Sequence, residues 1–453
     1  LIENATNLGF VGAVNRGFEA AAACQKSQSD LPVVLLNSDA LVPPNWAARL
    51  LAPLSDPQVA SVTPMSNDAE LMTVPTVCRP VSVDPRQADA IDARITQLAA
   101  PTLEADLPTG VGFCMALSPT WLRRIGYFDL KFGKGYGEEV DWCQKAQAAG
   151  ARNVAQTNLF VAHQGGASFG PAQKNQLVAQ NGIELNRRYP NFDAQVQSFI
   201  ASDPLLGHRL AHALAWAGSH GRVPIYLAHD MGGGAEADLR RRIAADGIAV
   251  VVRVGGAHRW QIAVHGGPSV LRVGTEDTAL LLDLLTLILD RHVIYVCAVG
   301  DPDPIALPDV LMDLARGQKL SVLLHDYFTC TPSYTLLTER GAYRGMPSLA
   351  AASRADTLRR PDGTQVTLDD WRAAWGALLR ALKCTPGVPA STDRPGSVGI
   401  QSGRGRPGDD SADRALHPPR VSHCHGDGAA GTESSAASAL SAGRISASKL
   451  IMI

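Results

Sequence analysis

An α/β fold is predicted for this chain by apolar runs of strand length that end in polar residues, by helical stripes between those runs, and by glycine-rich turns at the junctions. Its 453 residues are enough for two to four units of ~100–200 residues each, and 45% apolar content supports real cores. The formal net charge of −2 leaves no basic footprint for nucleic acid and no polybasic patch for a membrane surface. Eight scattered cysteines with no CxxC pair argue against a disulfide scaffold or a zinc module, and for a reduced, cytosolic compartment. The longest apolar stretch, Ala279 to Leu289, is helix-sized and contains Asp283, so it does not read as a membrane span.

Taken in order, Asn4, Asn7 and Gly9 signal a turn, and Phe10, Val14, Phe18 and Ala21 form a helical stripe. Val33 to Leu36 suits a strand buried on both faces, as in a parallel sheet, and ends in Asn37, Ser38 and Asp39. Ligands gather at the carboxyl ends of such strands, which makes Asp39 a candidate; a turn or cap is the alternative. A helix is expected over Pro43 to Leu54 and a short strand over Val59 to Thr63, closed by a turn at Pro64 to Asn67. A polar, proline-punctuated stretch follows, with one amphipathic helix around Ala88 to Ala99. Gly110 and Gly112 then precede a strand, where backbone can approach a ligand closely.

The stretch GYGEEVDWC, Gly135 to Cys143, crowds Glu138, Glu139 and Asp141 into one helical turn. Acidic residues there complement the helix dipole, which is one reading. The other is local chemistry, because like charges this close raise at least one pKa unless a cation or strong donors intervene. After the helix stop at Gly150, a strand around Asn153 to Val161 delivers His163, followed by the glycine-rich loop Gly165 to Gly170. An Asp and a His suit a divalent cation, and a nearby Glu suits a general base.

In this order, NATNLGFVGAVNRGF (Asn4–Phe18), LLNSDALVPPNW (Leu35–Trp46), PTGVGFCM (Pro108–Met115), GYFDLKFGKGYGEEVDWCQKAQAAG (Gly126–Gly150) and VAHQGGASFG (Val161–Gly170) together resemble glycosyltransferase family 2, the GT-A type, and its rhamnosyltransferase-like members. The resemblance implies that Asp39 is the surviving acid of a metal-binding Asp-x-Asp whose first position is Asn37 here, and that His163 is the later metal ligand. It implies Glu139 as catalytic base, Glu138 as its supporting neighbour, and Asn7 and Asn15 as residues framing the donor-binding turn; Asp141 is expected to be a structural cap. The implied reaction is a single inverting displacement, with Mg²⁺ or Mn²⁺ bridging the donor diphosphate. The family's first strand and turn, which hold the nucleotide base, are not found before the Asn4 motif. Weak nucleotide-sugar binding by this chain is therefore expected.

A helical linker with His208, His212 and His220 leads into a strand at Val223 to Ala228, then Gly232, Gly233 and Gly234 and a helix beginning near Glu236. That arrangement is either a phosphate cradle at helix N-terminal amides or a plain β-to-α connection. Strands at Ala249–Val254, Val293–Val299 and Ser321–Leu324, with a helix over Leu280–Leu289, argue for a second parallel α/β sheet. HDMGGGAE and LLHDYFTCTPSYTLL resemble the N-terminal, acceptor-side domain of family 4-like GT-B glycosyltransferases; His325 and Asp326 line that cleft or a strand-end turn. From Thr385 to Ile453 there is no aromatic residue, and the composition predicts a disordered tail, with the look of a frameshift product.

The expected organisation is a GT-A domain lacking its first strands (1–200), a helical linker (201–221), a partial GT-B-like domain (222–383) and a disordered tail (384–453). The expected partners are a nucleotide-diphosphate sugar and a saccharide or lipid-linked acceptor in cell-surface polysaccharide assembly, with cytoplasmic placement and peripheral contact at the inner membrane face through the acceptor or other assembly proteins. The rival readings are a carbohydrate- or nucleotide-binding remnant without turnover, and a metal-dependent nucleotidyl or phosphoryl transferase.

Overall fold

The chain alternates helices and strands through two mixed sheets that share one core. The computed structural model describes residues 2–25, 31–98, 104–164, 171–338, 340–383 and 451–452. The glycine-rich loop at 165–170 and the tail at 384–450, both singled out from the sequence, lie outside the described residues.

The first unit runs α1 (Gly9–Gln25), β1 (Val33–Leu36), β2 (Ala40–Leu41), α2 (Trp46–Leu51), β3 (Val59–Met65), α3 (Pro85–Ile95), β4 (Glu104–Leu107), β5 (Cys114–Leu117), α4 (Pro119–Ile125), α5 (Glu138–Ala148), β6 (Arg152–Phe160), β7 (Ala162–His163), α6 (Pro171–Arg188) and α7 (Phe192–Ser202). Its sheet has the order β1-β5-β3-β6-β4, with Ile451–Met452 alongside β1. Only β3 and β6 are parallel; β1 with β5, β5 with β3, and β4 with β6 are antiparallel. Val33–Leu36 is buried on both faces as the sequence implied, but its neighbour β5 and the Leu35–Leu36 partners Ile451–Met452 run antiparallel. Burial on both faces reports layers above and below a strand, and carries no information on its direction.

Those layers are visible in β1 itself. Val33 and Leu35 join Val11, Val14 and Phe18 of α1, Trp121 of α4 and Trp142 of α5 in one core. Val34 and Leu36 face the other way, into a core that continues through α3 into the second unit. The element between the units is α8 (Leu206–Gly218). It is helical as expected of the linker, and every residue from Arg209 to Gly218 is buried. This helix, mostly apolar but carrying the buried Arg209 and His212, packs on α3 from one unit and on strands of the other.

The second unit contains β8 (Val223–His229), α9 (Gly233–Asp246), β9 (Ala249–Val254), β10 (Trp260–His265), β11 (Leu271–Thr275), α10 (Thr278–Leu285), β12 (Arg291–Tyr295), α11 (Leu307–Leu314), β13 (Lys319–Val322) and α12 (Leu368–Lys383). Its sheet, β11-β10-β9-β8-β12-β13, is parallel from β9 to β13 and antiparallel at β10 and β11. The parallel sheet read from sequence is therefore mixed, because a hairpin unrecognised there extends it. The turn of that hairpin rests on the first unit: a Cβ on Gly267 would come within 2.8 Å of Pro75 Cγ, so only glycine fits. Below the sheet, Trp371 and Trp375 of α12 pack against Phe328 and Tyr295, with ring centroids 5.0–6.0 Å apart for the Phe328 pairs and 5.2 Å for Tyr295–Trp375.

Candidate functional site

Asp39 and His163 are brought together by the short antiparallel pair β2–β7, in which Ala40 lies opposite His163. His163 Nε2 is 3.5 Å from Asp39 Oδ1 and 3.5 Å from Asn37 Nδ2. On the other side of the ring, Nδ1 is 2.8 Å from the carbonyl of Asp68. A carbonyl only accepts, so Nδ1 carries a proton, and in the neutral ring Nε2 turns its lone pair toward Asp39 and Asn37. Asn67 fixes the backbone around the ring: its Oδ1 accepts from His163 N at 2.8 Å, and its Nδ2 donates to His163 O at 2.9 Å. Phe113 lies on the ring at 4.9 Å between centroids, and its carbonyl accepts from Asn37 N at 2.8 Å.

This donor set fits a hard divalent cation. One carboxylate oxygen and one imidazole lone pair face the same space, and the imidazole is oriented by a backbone carbonyl, the usual outer partner of a metal-binding histidine. It is a sparse set: among the described residues no group of three His, Cys, Asp or Glu side chains converges on one point. Remaining positions would fall to ligand oxygens and water.

The three carboxylates of α5 have three different fates. Gly137, at φ +127°, starts the helix where a Cβ would sit 3.1 Å from Leu185 and Phe132, and no side chain caps it. Asp141 is 1% exposed and fully engaged: Arg188 Nη1 donates at 2.7 Å, Tyr189 Oη at 2.8 Å, and Lys145 Nζ lies 2.6 Å away. It was expected to cap the helix; instead it ties α5 to Arg188 and Tyr189 at the end of α6, and no side chain caps α5. Glu138 is 3% exposed, and its Oε2 has no partner. Burial first, and the neighbouring Glu139 charge second, push its carboxyl well above the usual range. Burial also raises Glu139, but its own N–H, the Gly137 N–H at 3.4 Å to Oε2 and the neighbouring Glu138 side chain hold it back. Both carboxyls are thus raised, and the two acids titrate as a pair.

Loops tie this helix start to the His163 corner. Tyr136, at φ +70°, has its phenol raised by burial and then by the carboxylates of Glu139, Glu138, Glu70 and Asp68. On the other side, Gly110 N donates to Cys143 Sγ at 3.3 Å, one turn past Glu139, and the same segment reaches Phe113 against His163. A Cβ on Gly110 would meet Met115 and Thr63 at 2.9–3.1 Å, so that glycine serves packing, whereas Gly112 has only Phe10 at 3.8 Å and faces open space.

Two residues expected to frame the donor turn have partners within the protein. Asn7 Oδ1 accepts from Gly9 N at 2.9 Å and starts α1. Asn15 clamps the backbone of Phe128, donating to its carbonyl at 2.8 Å and accepting from its N–H at 3.0 Å. Asn67, Asp68, Phe113 and Tyr136 were not recognised as site residues from sequence. The Pro64–Asn67 turn was the one signal for the first two.

In the second unit, the strand order turns back between β8 and β12, and Gly232–Gly234, His325 and Asp326 follow strands at that edge. Gly232 (φ +79°) and Gly233 (φ +86°) open α9. His325 Nε2 is 3.6 Å from Asp238 Oδ2, while Asp326 accepts from Cys297 Sγ at 3.0 Å and from Phe328 N at 2.9 Å. These two side chains therefore have internal partners.

Residues 1–182 match the family model for glycosyltransferase like family 2. The match takes in Asp39, Glu138, Glu139 and His163. No curated protein matches the chain. Among solved structures, the crystal structure of GalNAc-T7 with UDP, GalNAc and Mn²⁺ is 13% identical, with a TM-score of 0.29, over 54% of this chain and 43% of that one. The chain thus spans less than half of that structure's length, and a likeness at this level assigns neither substrate nor metal. Among the described residues, no helix is long and apolar enough to cross a membrane.

Proposed function

We propose that the first unit is an inverting glycosyltransferase, moving a sugar from a nucleotide-diphosphate donor to a saccharide or lipid-linked acceptor in cell-surface polysaccharide assembly. The observation that carries this reading is the acid pair at the start of α5, within the matched residues: Glu138 is buried, and Glu139, the more exposed of the two, takes the Gly137 N–H at Oε2 and is the base of the proposed reaction. Asp39 Oδ1 and His163 Nε2 would hold Mg²⁺ or Mn²⁺, with Asn37 beside them. A divalent cation bound there would offset the charge gathering on the diphosphate leaving group. Glu139 accepts the proton of an acceptor hydroxyl as that oxygen bonds to the anomeric carbon. The bond from that carbon to the diphosphate breaks on the opposite face, and the nucleoside diphosphate leaves with the electron pair. Gly112 leaves room for a ligand beside the strand-end groups.

The second unit is read as the N-terminal part of a family 4-like GT-B domain, with the turn at Gly232–Gly234 as its ligand-facing edge. Cytoplasmic placement, with contact to the inner membrane face through a lipid-linked acceptor, belongs to the same proposal.

The test is transfer from a panel of nucleotide-diphosphate sugars to saccharide acceptors by the full chain with Mn²⁺, with the product anomer read by NMR. Glu139→Gln should lower transfer by about 10²–10⁴-fold while donor binding is retained. Transfer that survives the substitution would refute the assignment. A chain that binds donor but never transfers sugar would favour a binding remnant. Transfer of a nucleotidyl or phosphoryl group would favour the other enzyme class.

A further inference from the structure

We propose that Arg209, on the helix joining the two units, is a positioning residue that sets the orientation of His163. Arg209 is 1% exposed, although a guanidinium is costly to bury. Its Nε and Nη2 donate to the Asp203 carboxylate at 3.0 Å each. Its remaining reach is spent on another part of the chain: Nη2 donates to the carbonyl of Leu71 at 3.0 Å, and Nη1 to the carbonyl of Thr73. Only a planar fork with several fixed donors serves a carboxylate and two carbonyls at once.

Those carbonyls belong to a tight loop that begins at Ser66. Val74 N donates to Ser66 O at 2.8 Å and Ser66 N to Met72 O at 3.2 Å, which closes the loop; Ala69 N donates to Thr73 Oγ1 at 2.9 Å inside it. The first residues of the loop are Asn67, which holds the His163 backbone from both sides, and Asp68, whose carbonyl faces Nδ1 at 2.8 Å. The second unit buttresses the far end of the same segment, where Thr76 Oγ1 lies 3.1 Å from Ser269 Oγ. The order of contacts is therefore Arg209, loop carbonyls, Asp68 carbonyl, His163 ring. Arg209 itself lies outside the family 2 match, on the helix that joins the two units. The geometry makes the first unit's strand-end histidine dependent on the junction with the second.

The experiment uses the full chain labelled with ¹⁵N-histidine, with His163 assigned by difference against His163→Gln, and compares wild type, Arg209→Met and Arg209→Lys. Wild type should show His163 with its proton on Nδ1. Arg209→Met should show a mixture of tautomers and Mn²⁺ affinity lowered about tenfold or more, and Arg209→Lys an intermediate state. The Mn²⁺ arm rests on the proposed cation site, whereas the tautomer arm does not. A wild type that binds no Mn²⁺ would sink that cation site and leave the tautomer to decide. An unchanged His163 tautomer in folded Arg209→Met would overturn the proposal. If Arg209→Met does not fold, an unchanged tautomer in Arg209→Lys overturns it equally. So would a wild-type His163 with its proton on Nε2.

Discussion

Glu138→Gln and Asp141→Asn, three positions apart on one helix, should have opposite consequences for stability. Asp141 is 1% exposed and meets Arg188, Tyr189 and Lys145 at 2.6–2.8 Å. Removing one member of a buried ion pair typically costs 3–5 kcal/mol, but the Arg188 and Lys145 side chains are 18% and 40% exposed and can regain water. A loss of about 2–3 kcal/mol is expected for Asp141→Asn. Glu138 is as deeply buried, yet one of its oxygens has no partner and its carboxyl titrates well above the usual range. A glutamine keeps the shape and a donor toward Glu139, so Glu138→Gln should change stability by less than about 1 kcal/mol near pH 5. The sign with pH follows from the raised value. Glu138 contributes stability that is complete below its unfolded value of 4.5 and is lost as pH rises toward the folded one. Glutamine escapes that loss, so the variant should gain on wild type steadily from pH 5 to pH 8. Urea unfolding of the full chain, followed by tryptophan fluorescence across that range, reads both effects. A Glu138→Gln variant as destabilised as Asp141→Asn, or a gap between it and wild type that ignores pH, would refute the account of the pair.

Other outcomes are expected elsewhere. His212 is buried beside α8's partners, its Nε2 has no hydrogen bond, and burial lowers its pKa to about 3. Because the unfolded chain takes up that proton first, stability should fall as pH drops below 6.5, by about 2 kcal/mol at pH 5, and His212→Leu should remove this slope in acid denaturation. Asn15→Ala leaves the Phe128 N–H and carbonyl unmatched and should cost about 1–3 kcal/mol in unfolding experiments, with donor affinity unchanged in whatever fraction remains folded. Asp39→Asn removes the one carboxylate facing His163 Nε2 and should weaken Mn²⁺ binding by at least about tenfold in calorimetry; unchanged binding would move the cation elsewhere.

Where sequence and structure diverge, the cause lies in contacts made across long separations. The strand Ala249–Val254 is found over the expected residues, and α1 buries Val14 and Phe18 of the stripe that the sequence displays, with Phe10 and Ala21 packed against them. Both follow from local periodicity. Strand direction was misjudged at Val33–Leu36, and the hairpin of β10 and β11 was missed. In both cases the deciding bonds link segments that the apolar pattern treats alike. Asn15 illustrates the same limit at a side chain: its amide reads as a ligand group until Phe128, 113 positions away, is seen to occupy it.

What the sequence determined by itself was an α/β chain with Asp39 and His163 at strand ends and three acids opening a helix, because spacing and residue chemistry are local properties. The tertiary structure alone decided which acid is which. Asp141 lies in the reach of Arg188, Tyr189 and Lys145, while Glu138 is buried without a full set of partners, and burial and the Glu139 charge push its carboxyl well above the usual range. Proton affinity depends on burial and on charges brought near by folding, and neighbouring carboxylates in a sequence carry no record of either.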